Sequence, residues 1–240
     1  MTIKDRAKSC RDALQQLIYK IIDPVVHAMI GVGITPNVVT TIGFIGNLAG
    51  AALLVYAATL PQGQMYVLLA WTGALMLVSS LFDMMDGQVA RIGKMASTFG
   101  ALYDSILDRY SEMTTLGALA FCLMQHGYKA GAVITFLALI GSVMVSYVRA
   151  RAEGLGLECK IGLMQRPERV VITCLALIAS GLTASMCRRP SFDPMLILIV
   201  AMAFIAVFAN VTAIARIQYS RRQLRSGKAG QPSGGGNTAR

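Results

Sequence analysis

Long apolar stretches separated by short polar segments make up most of the chain. Six of these stretches reach the length of at least about 17 residues that a helix needs to cross a bilayer. They are residues 35–58, 65–82, 98–124, 129–148, 170–186 and 194–214. Turn-forming residues such as Pro61-Gln62-Gly63-Gln64 separate neighbouring stretches. The pattern predicts an all-α polytopic membrane protein with six transmembrane helices.

The N-terminal segment follows a different pattern, with apolar and basic side chains on different helical faces. The apolar face contains Ile3, Ala7, Cys10, Leu14, Leu17 and Ile21, and the basic one contains Lys4, Lys8 and Arg11. This is typical of an amphipathic helix that lies along the headgroups, although a surface helix packed on the protein is an alternative. We therefore predict an interfacial helix over 1–22, a six-span membrane domain over 23–219 and a disordered, basic, Gly/Ser-rich tail over 220–240.

Composition and charge support a membrane protein. Of the 240 residues, 55% are hydrophobic and 14% are charged, whereas a soluble domain carries about 25% charged residues. The net charge of +10 comes from polar segments between the apolar stretches and from the termini, so membrane lipid or phosphate is a better partner than nucleic acid. The five cysteines have no C-x-x-C spacing, which argues against a zinc site or a disulfide framework.

The distribution of Lys and Arg predicts the orientation of the chain. With six spans, both termini lie on the same side of the membrane, and that side collects 18 Lys and Arg residues against 3 on the opposite side. Basic segments are retained in the cytoplasm. We therefore expect a multi-pass protein of the cell membrane with cytoplasmic termini and a cytoplasmic active site.

Two carboxylates directly follow the second apolar stretch, and two more lie within the third. Asp83 and Asp86 have i, i+3 spacing, and Asp104 and Asp108 have i, i+4 spacing, so each pair lies on one helical face. A charge at membrane depth costs about 2.5 to 3.5 kcal/mol on insertion scales. Four like charges also repel each other, whereas carboxylate oxygens hold divalent cations such as Mg²⁺. The pattern indicates a metal-binding core, and two ion-paired helix ends are the alternative.

These aspartates belong to a longer pattern, D-x-x-D-G-x-x-A-R, eight residues, then G-x-x-x-D-x-x-x-D. Its fixed positions are Asp83, Asp86, Gly87, Ala90, Arg91, Gly100, Asp104 and Asp108. The pattern resembles the signature of the CDP-alcohol phosphotransferases, in which an alcohol attacks the β-phosphorus of a CDP-linked donor and CMP leaves. The resemblance implies that the four aspartates bind Mg²⁺ or Mn²⁺, as two ions, and that Asp108 is also the general base.

The resemblance also implies a pocket for the CDP group. Gly87 lets the nucleotide approach the backbone closely, and Arg91 supplies a fixed positive charge for phosphate. The other positions that match the pocket in relatives are Thr35, Pro36, Asn37, Val38 and Ser97. Relatives often have Asp where this chain has Asn37, and Thr35-Pro36-Asn37 is also a common start of a helix.

The acceptor alcohol is predicted from a second set of residues. The segments Ser146–Glu153 and Arg166–Arg169 resemble the phosphatidylinositol phosphate synthase branch of the family. The guanidinium group of arginine donates two hydrogen bonds at once to phosphate oxygens, so an acceptor such as inositol phosphate suits this set. The candidates are Arg149, Arg151, Arg166, Arg169 and Arg216. Ordinary positive-inside charges are the alternative interpretation of these arginines.

Two other functions fit parts of the same pattern. Glycerol 3-phosphate is also an anionic alcohol and suits the same arginines. Intramembrane acids can also mark an ion-coupled transporter, but such sites lie between inverted repeats near the midplane, and the chain has no internal repeat.

Arg109 and Glu112 follow Asp108, and we expect them to pair with each other or with the core because isolated charges are costly there. Analogy with relatives suggests a homodimer.

Overall fold

The computed structural model describes residues 22–159, 161–162, 164–186 and 192–225, and all secondary structure among them is helical. The helices are α1 (Ile22–Gly31), α2 (Pro36–Ala57), α3 (Gln62–Ile92), α4 (Thr98–Gln125), α5 (Lys129–Glu153), α6 (Arg166–Met186) and α7 (Met195–Arg225). The prediction of an all-α membrane fold is confirmed.

The helices match the predicted membrane spans. Five of them, α2, α3, α5, α6 and α7, are long and apolar enough to cross a membrane. The sixth predicted span is α4, a helix of 28 residues. It carries the charged residues Asp104, Asp108, Arg109 and Glu112, and it is not among the helices that are long and apolar enough to cross a membrane. The helix that departs from the predicted spans is therefore one that carries half of the predicted metal site.

The two ends of the chain extend beyond what the structure describes. The predicted interfacial helix lies outside the described residues except for Ile22, which begins α1. At the other end, α7 continues to Arg225 and includes the first residues of the segment predicted as a disordered tail. The remainder of that segment, 226–240, lies outside the described residues.

The chain divides into two compact units. The first unit contains residues up to Gly46 and residues Val78–Asp108, and it therefore holds the complete aspartate signature. Its small core is formed by Ile22, Val26, Val39, Met85 and Val89. Glycine on α2 lets α3 approach closely, since a Cβ added at Gly43 would lie 3.2 Å from the backbone oxygen of Ser79.

The second unit contains residues Asn47–Leu77 and the chain from Arg109 onward. Within it α5 packs along α7, where the side-chain nitrogen of Asn210 donates to the backbone oxygen of Leu137 at 3.1 Å. Helices α3 and α6 also approach closely, since a Cβ at Gly181 would lie 2.7 Å from the Cβ of Ala70. Small residues at such contacts stabilise helix pairs in membranes, where lipid is as apolar as the side chains.

A hydrogen-bonded cluster joins three loop-proximal positions of the second unit. Tyr66 and Tyr128 donate to the two carboxylate oxygens of Asp193 at 2.7 and 2.6 Å. The backbone N–H of Met195 donates to the same carboxylate at 2.9 Å, so Asp193 caps the start of α7. Burial by itself raises the pKa of Asp193, but these three donors outweigh it and hold the pKa below its ordinary value.

Candidate active site

The end of α3 and the start of α4 carry the signature aspartates. The connection between these helices is short, and Lys94 adopts a positive φ of 53° within it. The N–H of Met95 returns to the carbonyl of Ala90 at 2.9 Å, which closes the end of α3. The hydroxyl oxygen of Ser97 accepts from the N–H of Gly100 at 3.0 Å and caps the start of α4. The two helices therefore place their aspartates within a tight helical hairpin.

Three of the four aspartates converge. One carboxylate oxygen from each of Asp83, Asp104 and Asp108 lies within 4.8 Å of the other two, and all three residues are half-buried. Like charges at this separation repel each other strongly where water is scarce. Carboxylate oxygens are the ligands that hard divalent cations prefer. The donor set therefore fits Mg²⁺ or Mn²⁺.

The fourth aspartate is held differently. Asp86 is 6% exposed, and its Oδ2 atom accepts a hydrogen bond from the hydroxyl of Thr40 at 2.6 Å. Thr40 lies on α2, one turn after Pro36. Asp86 is therefore positioned by a hydroxyl, and it is not a member of the cluster formed by the other three aspartates.

Residues of the predicted CDP pocket lie on α2, on α3 and at the start of α4. A Cβ added at Gly87 would meet only a terminal nitrogen of Arg91, at 3.8 Å. The space beside Gly87 is therefore open, as close approach of a nucleotide requires. The Nε atom of Arg91 donates to the Gly87 carbonyl at 3.1 Å, which holds this exposed side chain against its own helix.

The other predicted pocket residues flank the start of α2. Pro36 is the first residue of α2, where its fixed φ suits a helix start, and Thr35 and Val38 are exposed. The side-chain oxygen of Asn37 would lie 3.2 Å from a Cβ added at Gly100. Asn37, Ser97 and Gly100 are therefore neighbours in the structure, although more than fifty residues separate Asn37 from Ser97 in the sequence.

The predicted acceptor arginines lie in the second unit, and two of them are buried. Arg169 donates from Nε and Nη2 to the carboxylate of Glu112 at 2.6 and 2.9 Å. The side chains of Arg169 and Glu112 are only 2% and 8% exposed. Arg216 donates from Nε to the carbonyl of Ile161 at 2.7 Å and from Nη1 to the carbonyl of Val145 at 2.6 Å. Arg169 also donates from Nη1 to the carbonyl of Met164 at 3.3 Å, so each of the two arginines bonds to the connection between α5 and α6.

The remaining arginines are more accessible. Arg149 pairs with Glu153 one turn later on α5, at 2.8 Å, and the side chains of both are more than 40% exposed. Arg151 is exposed, and Arg166 is half-buried at the start of α6. This group offers accessible positive charge to an anionic ligand.

Sequence reasoning did not predict several of these contacts. Thr40 as the partner of Asp86 was missed, and so was the hydrogen bond between the hydroxyls of Thr41 and Tyr103 at 3.0 Å. Adjacent threonines within an apolar helix are a weak signal for both contacts. Glu112 was expected to pair with Arg109 or with the core, and the structure shows that it pairs with Arg169.

Helices of a membrane protein that bring three carboxylates together, in a fold with an open glycine and an arginine on one of these helices, are typical of a metal-binding membrane enzyme. Residues 33–215 match the family model of the CDP-alcohol phosphatidyltransferases. The chain belongs to this family.

Curated relatives with similar sequences share one name. The chain is 35% identical over 164 residues to the phosphatidylinositol phosphate synthase of Mycobacteroides abscessus, covering 68% of this chain and 70% of the relative. It is 30% identical over 211 residues to the enzyme of that name from Cutibacterium acnes, covering 86% of this chain and 95% of the relative. The similarity therefore extends over most of both proteins.

Solved structures of the same kind of enzyme have a similar fold. Phosphatidylinositol phosphate synthase of Mycobacterium tuberculosis with CDP-DAG bound has a TM-score of 0.70 and 29% identity, covering 84% of this chain and 94% of that one. The same enzyme in complex with manganese and citrate also has a TM-score of 0.70 and 29% identity, covering 82% and 88% of the two chains.

Proposed function

We propose that this protein transfers the phosphatidyl group of CDP-diacylglycerol to a hydroxyl of inositol phosphate and releases CMP. The observation that carries the proposal is the convergence of Asp83, Asp104 and Asp108 within 4.8 Å on two helices of the family signature. Relatives named phosphatidylinositol phosphate synthase, matched over most of their length, support the choice of substrates.

The aspartates would hold the metal. We assign Asp83, Asp86, Asp104 and Asp108 as ligands of two Mg²⁺ or Mn²⁺ ions, with Asp86 oriented through Thr40. Bound cations would neutralise the pyrophosphate and stabilise the charge that develops on the departing phosphate. A solved structure of the M. tuberculosis enzyme in complex with manganese supports a divalent ion.

The chain itself would bind and orient the donor. The open space beside Gly87 admits the nucleotide, and Arg91 presents a permanent positive charge on the same turn. The start of α2 and the N-cap of α4 would line the cytidine, with Asn37 and Ser97 adjoining Gly100. The residues proposed for this pocket are Thr35, Pro36, Asn37, Val38, Gly87, Arg91 and Ser97.

Asp108 would also move the proton. The acceptor hydroxyl loses its proton to a carboxylate oxygen of Asp108 while its oxygen forms a bond to the β-phosphorus of the donor. The pyrophosphate bond to CMP breaks in the same displacement, and CMP departs with the electron pair.

The arginines of the second unit would recognise the acceptor. We assign phosphate contact to Arg149, Arg151 and Arg166, which are the more accessible ones. Arg169 and Arg216 donate to Glu112 and to backbone carbonyls, and we assign them to the same acceptor region as residues that shape it. An anionic acceptor suits such an arginine set better than serine, choline or ethanolamine.

We propose further that the active site and both termini are cytoplasmic, and that the enzyme is a homodimer in the cell membrane. The orientation rests on the excess of Lys and Arg on one side of the spans. Crosslinking in native membranes and labelling of single cysteines introduced into the connections between spans would test these two proposals.

A panel of acceptors tests the proposed reaction. Purified protein is mixed with CDP-diacylglycerol, Mg²⁺ and one acceptor at a time, and CMP release and the lipid product are measured. We expect reaction with inositol phosphate and little with free inositol or serine. Preferred reaction with glycerol 3-phosphate would identify a phosphatidylglycerophosphate synthase instead. Absence of CMP release with every acceptor would contradict the family chemistry itself.

A further inference from the structure

The geometry points to Thr40 as a positioning residue of the metal site, which acts by fixing the carboxylate of Asp86 through the hydrogen bond from its hydroxyl. The inference deepens the proposed function and rests on its metal site. It adds to the signature a residue of α2, a helix that carries none of the signature aspartates.

Close contacts between α2 and α3 set the register of this bond. Gly46 and Gly43 lie against Ser79 and Phe82, where an added Cβ at Gly43 would lie 3.2 Å from the Cβ of Phe82. Residue numbers fall along α2 while they rise along α3, so the next contact in this antiparallel series joins Thr40 to Asp86. Because glycine permits the close approach, the hydroxyl of Thr40 reaches a residue forty-six positions away.

The proton of Thr40 is directed at the carboxylate. Its hydroxyl lies 3.0 Å from the carbonyl of Pro36, the usual local partner of a helical threonine, and 2.6 Å from Oδ2 of Asp86. A hydroxyl carries one proton, and an O–H···O bond is stronger when its two oxygens are closer together. The Asp86 bond is therefore the stronger one.

The neighbouring threonine provides an internal comparison. The hydroxyl of Thr41 lies 2.7 Å from the carbonyl of Asn37 and 3.0 Å from the hydroxyl of Tyr103. Its interactions are with a backbone carbonyl and a phenol, and none of these is a carboxylate of the signature. Thr40 and Thr41 are thus adjacent residues of the same type that differ in whether they contact an aspartate.

The bond fixes the aspartate in a way that matters for a cation. Thr40 touches Oδ2 of Asp86, and it holds the carboxylate in one orientation on a buried helix face. Removing a residue that orients a metal ligand lowers metal affinity or activity about 10- to 100-fold. We therefore expect loss of the Thr40 hydroxyl to weaken metal binding even though Thr40 is not itself a ligand.

Titration with Mn²⁺ tests this inference without substrate. The EPR signal of free Mn²⁺ gives the Kd of the purified protein, and CMP release is measured in parallel as a function of Mn²⁺ concentration. We expect Thr40→Val, which keeps the shape and removes the hydroxyl, to raise the Mn²⁺ Kd about 10- to 100-fold. Thr40→Ser should return the Kd close to that of the wild type. Thr41→Val is the matched control and should leave the Mn²⁺ Kd unchanged.

A double-mutant cycle shows whether Thr40 acts through Asp86. In an Asp86→Asn background, Thr40→Val should have little further effect on the Kd, since the orienting bond then has no carboxylate to hold. Equal Mn²⁺ affinity in Thr40→Val and wild type overturns the inference, as does an equal loss in Thr41→Val. If Thr40→Val does not fold, Thr40→Ala and Thr40→Ser decide by the same comparison. Absence of Mn²⁺ binding by the wild type would overturn the metal site itself and is distinguishable from these results.

Discussion

Two groups of aspartates in this protein have opposite surroundings. Asp193 accepts hydrogen bonds from two tyrosines and a backbone N–H. Asp83, Asp104 and Asp108 bring their oxygens within 4.8 Å of each other. The first carboxylate is stabilised by three hydrogen-bond donors and lies apart from this group, whereas the other three carboxylates lie close to one another.

The difference indicates what each group does. A carboxylate surrounded by donors is satisfied, and it stabilises the elements that supply them, here the starts of α3 and α7 and the loop before α5. Carboxylates that face one another store repulsion, which a bound cation relieves. Convergence with other carboxylates therefore distinguishes three of the proposed metal ligands from Asp193, which we interpret as a structural aspartate.

Removing the cation should have the largest effect. We expect excess EDTA to abolish CMP release and Mn²⁺ or Mg²⁺ to restore it. Asp104→Asn should lower CMP release by more than about a hundredfold, since loss of even a residue that only orients a metal ligand costs about 10- to 100-fold. The same change should leave the Tm in EDTA equal or higher, because it removes one of three repelling charges. Full turnover in EDTA, or a large drop in Tm, would contradict the assignment of Asp104.

Asp108 should separate proton transfer from donor binding. We expect Asp108→Asn to lower kcat about 10²- to 10⁴-fold, the usual contribution of a general base, while the affinity for CDP-diacylglycerol changes much less. Asp83→Asn is the matched comparison, because Asp83 belongs to the same cluster and has no assigned role in proton transfer. If Asp108→Asn loses donor binding in proportion to its rate, Asp108 is a metal ligand without the role of base.

Local periodicity explains why the helical spans and the faces that carry the aspartates could be predicted from the sequence. Spacings of three and four residues place Asp83 and Asp86 on one helical face and Asp104 and Asp108 on another. The short connection between α3 and α4 then restricts how the two helices can be arranged, so that these faces lie close together. The membrane spans could be predicted for a similar reason, because the length and apolar character of a span are properties of one continuous segment of the sequence.

Contacts that depend on the register between distant helices could not be predicted. The bond from Thr40 to Asp86 requires the glycine contacts of α2 with α3, which no local pattern specifies. Glu112 and Arg169 are fifty-seven residues apart, so the sequence predicted that Glu112 pairs with Arg109 or with the core and did not predict Arg169. Burial of Arg169 likewise depends on packing, and the sequence alone did not distinguish it from the accessible Arg151.

The two kinds of arginine should differ in the same way as the two kinds of aspartate. Arg151→Ala should raise the KM for inositol phosphate about ten- to a hundredfold, since a charge-assisted contact contributes about 1.5 to 3 kcal/mol. The KM for CDP-diacylglycerol should hardly change, and Lys at position 151 should restore the acceptor KM only in part. Lys129→Ala, an exposed charge at the start of α5, is the control. A rise in the donor KM instead would assign Arg151 to the CDP-lipid.

Arg169 should behave as a structural residue to a greater extent than Arg151. Removing one partner of a buried ion pair leaves the other charge unpaired and costs about 3 to 5 kcal/mol. We therefore expect Arg169→Ala to lower the Tm strongly and Arg151→Ala to leave it nearly unchanged. Combining Arg169→Met with Glu112→Leu should recover much of the lost stability, because no unpaired charge remains. Equal Tm values for Arg169→Ala and Arg151→Ala would contradict this distinction.

The smallest effect is expected at the satisfied aspartate. Asp193→Ala removes the cap of α7 and the acceptor of both tyrosines, and we expect it to lower the free energy of unfolding by about 1 to 3 kcal/mol with little change in CMP release. Because the pKa of Asp193 is lowered in the folded protein, its contribution is complete above the ordinary aspartate pKa of about 4 and is lost as the pH falls through the folded value. The Tm difference between wild type and Asp193→Ala should therefore be constant near neutral pH and shrink below about pH 4. A difference that persists unchanged into stronger acid would mean that Asp193 acts through packing, and the contrast with the repelling aspartates would then no longer rest on charge.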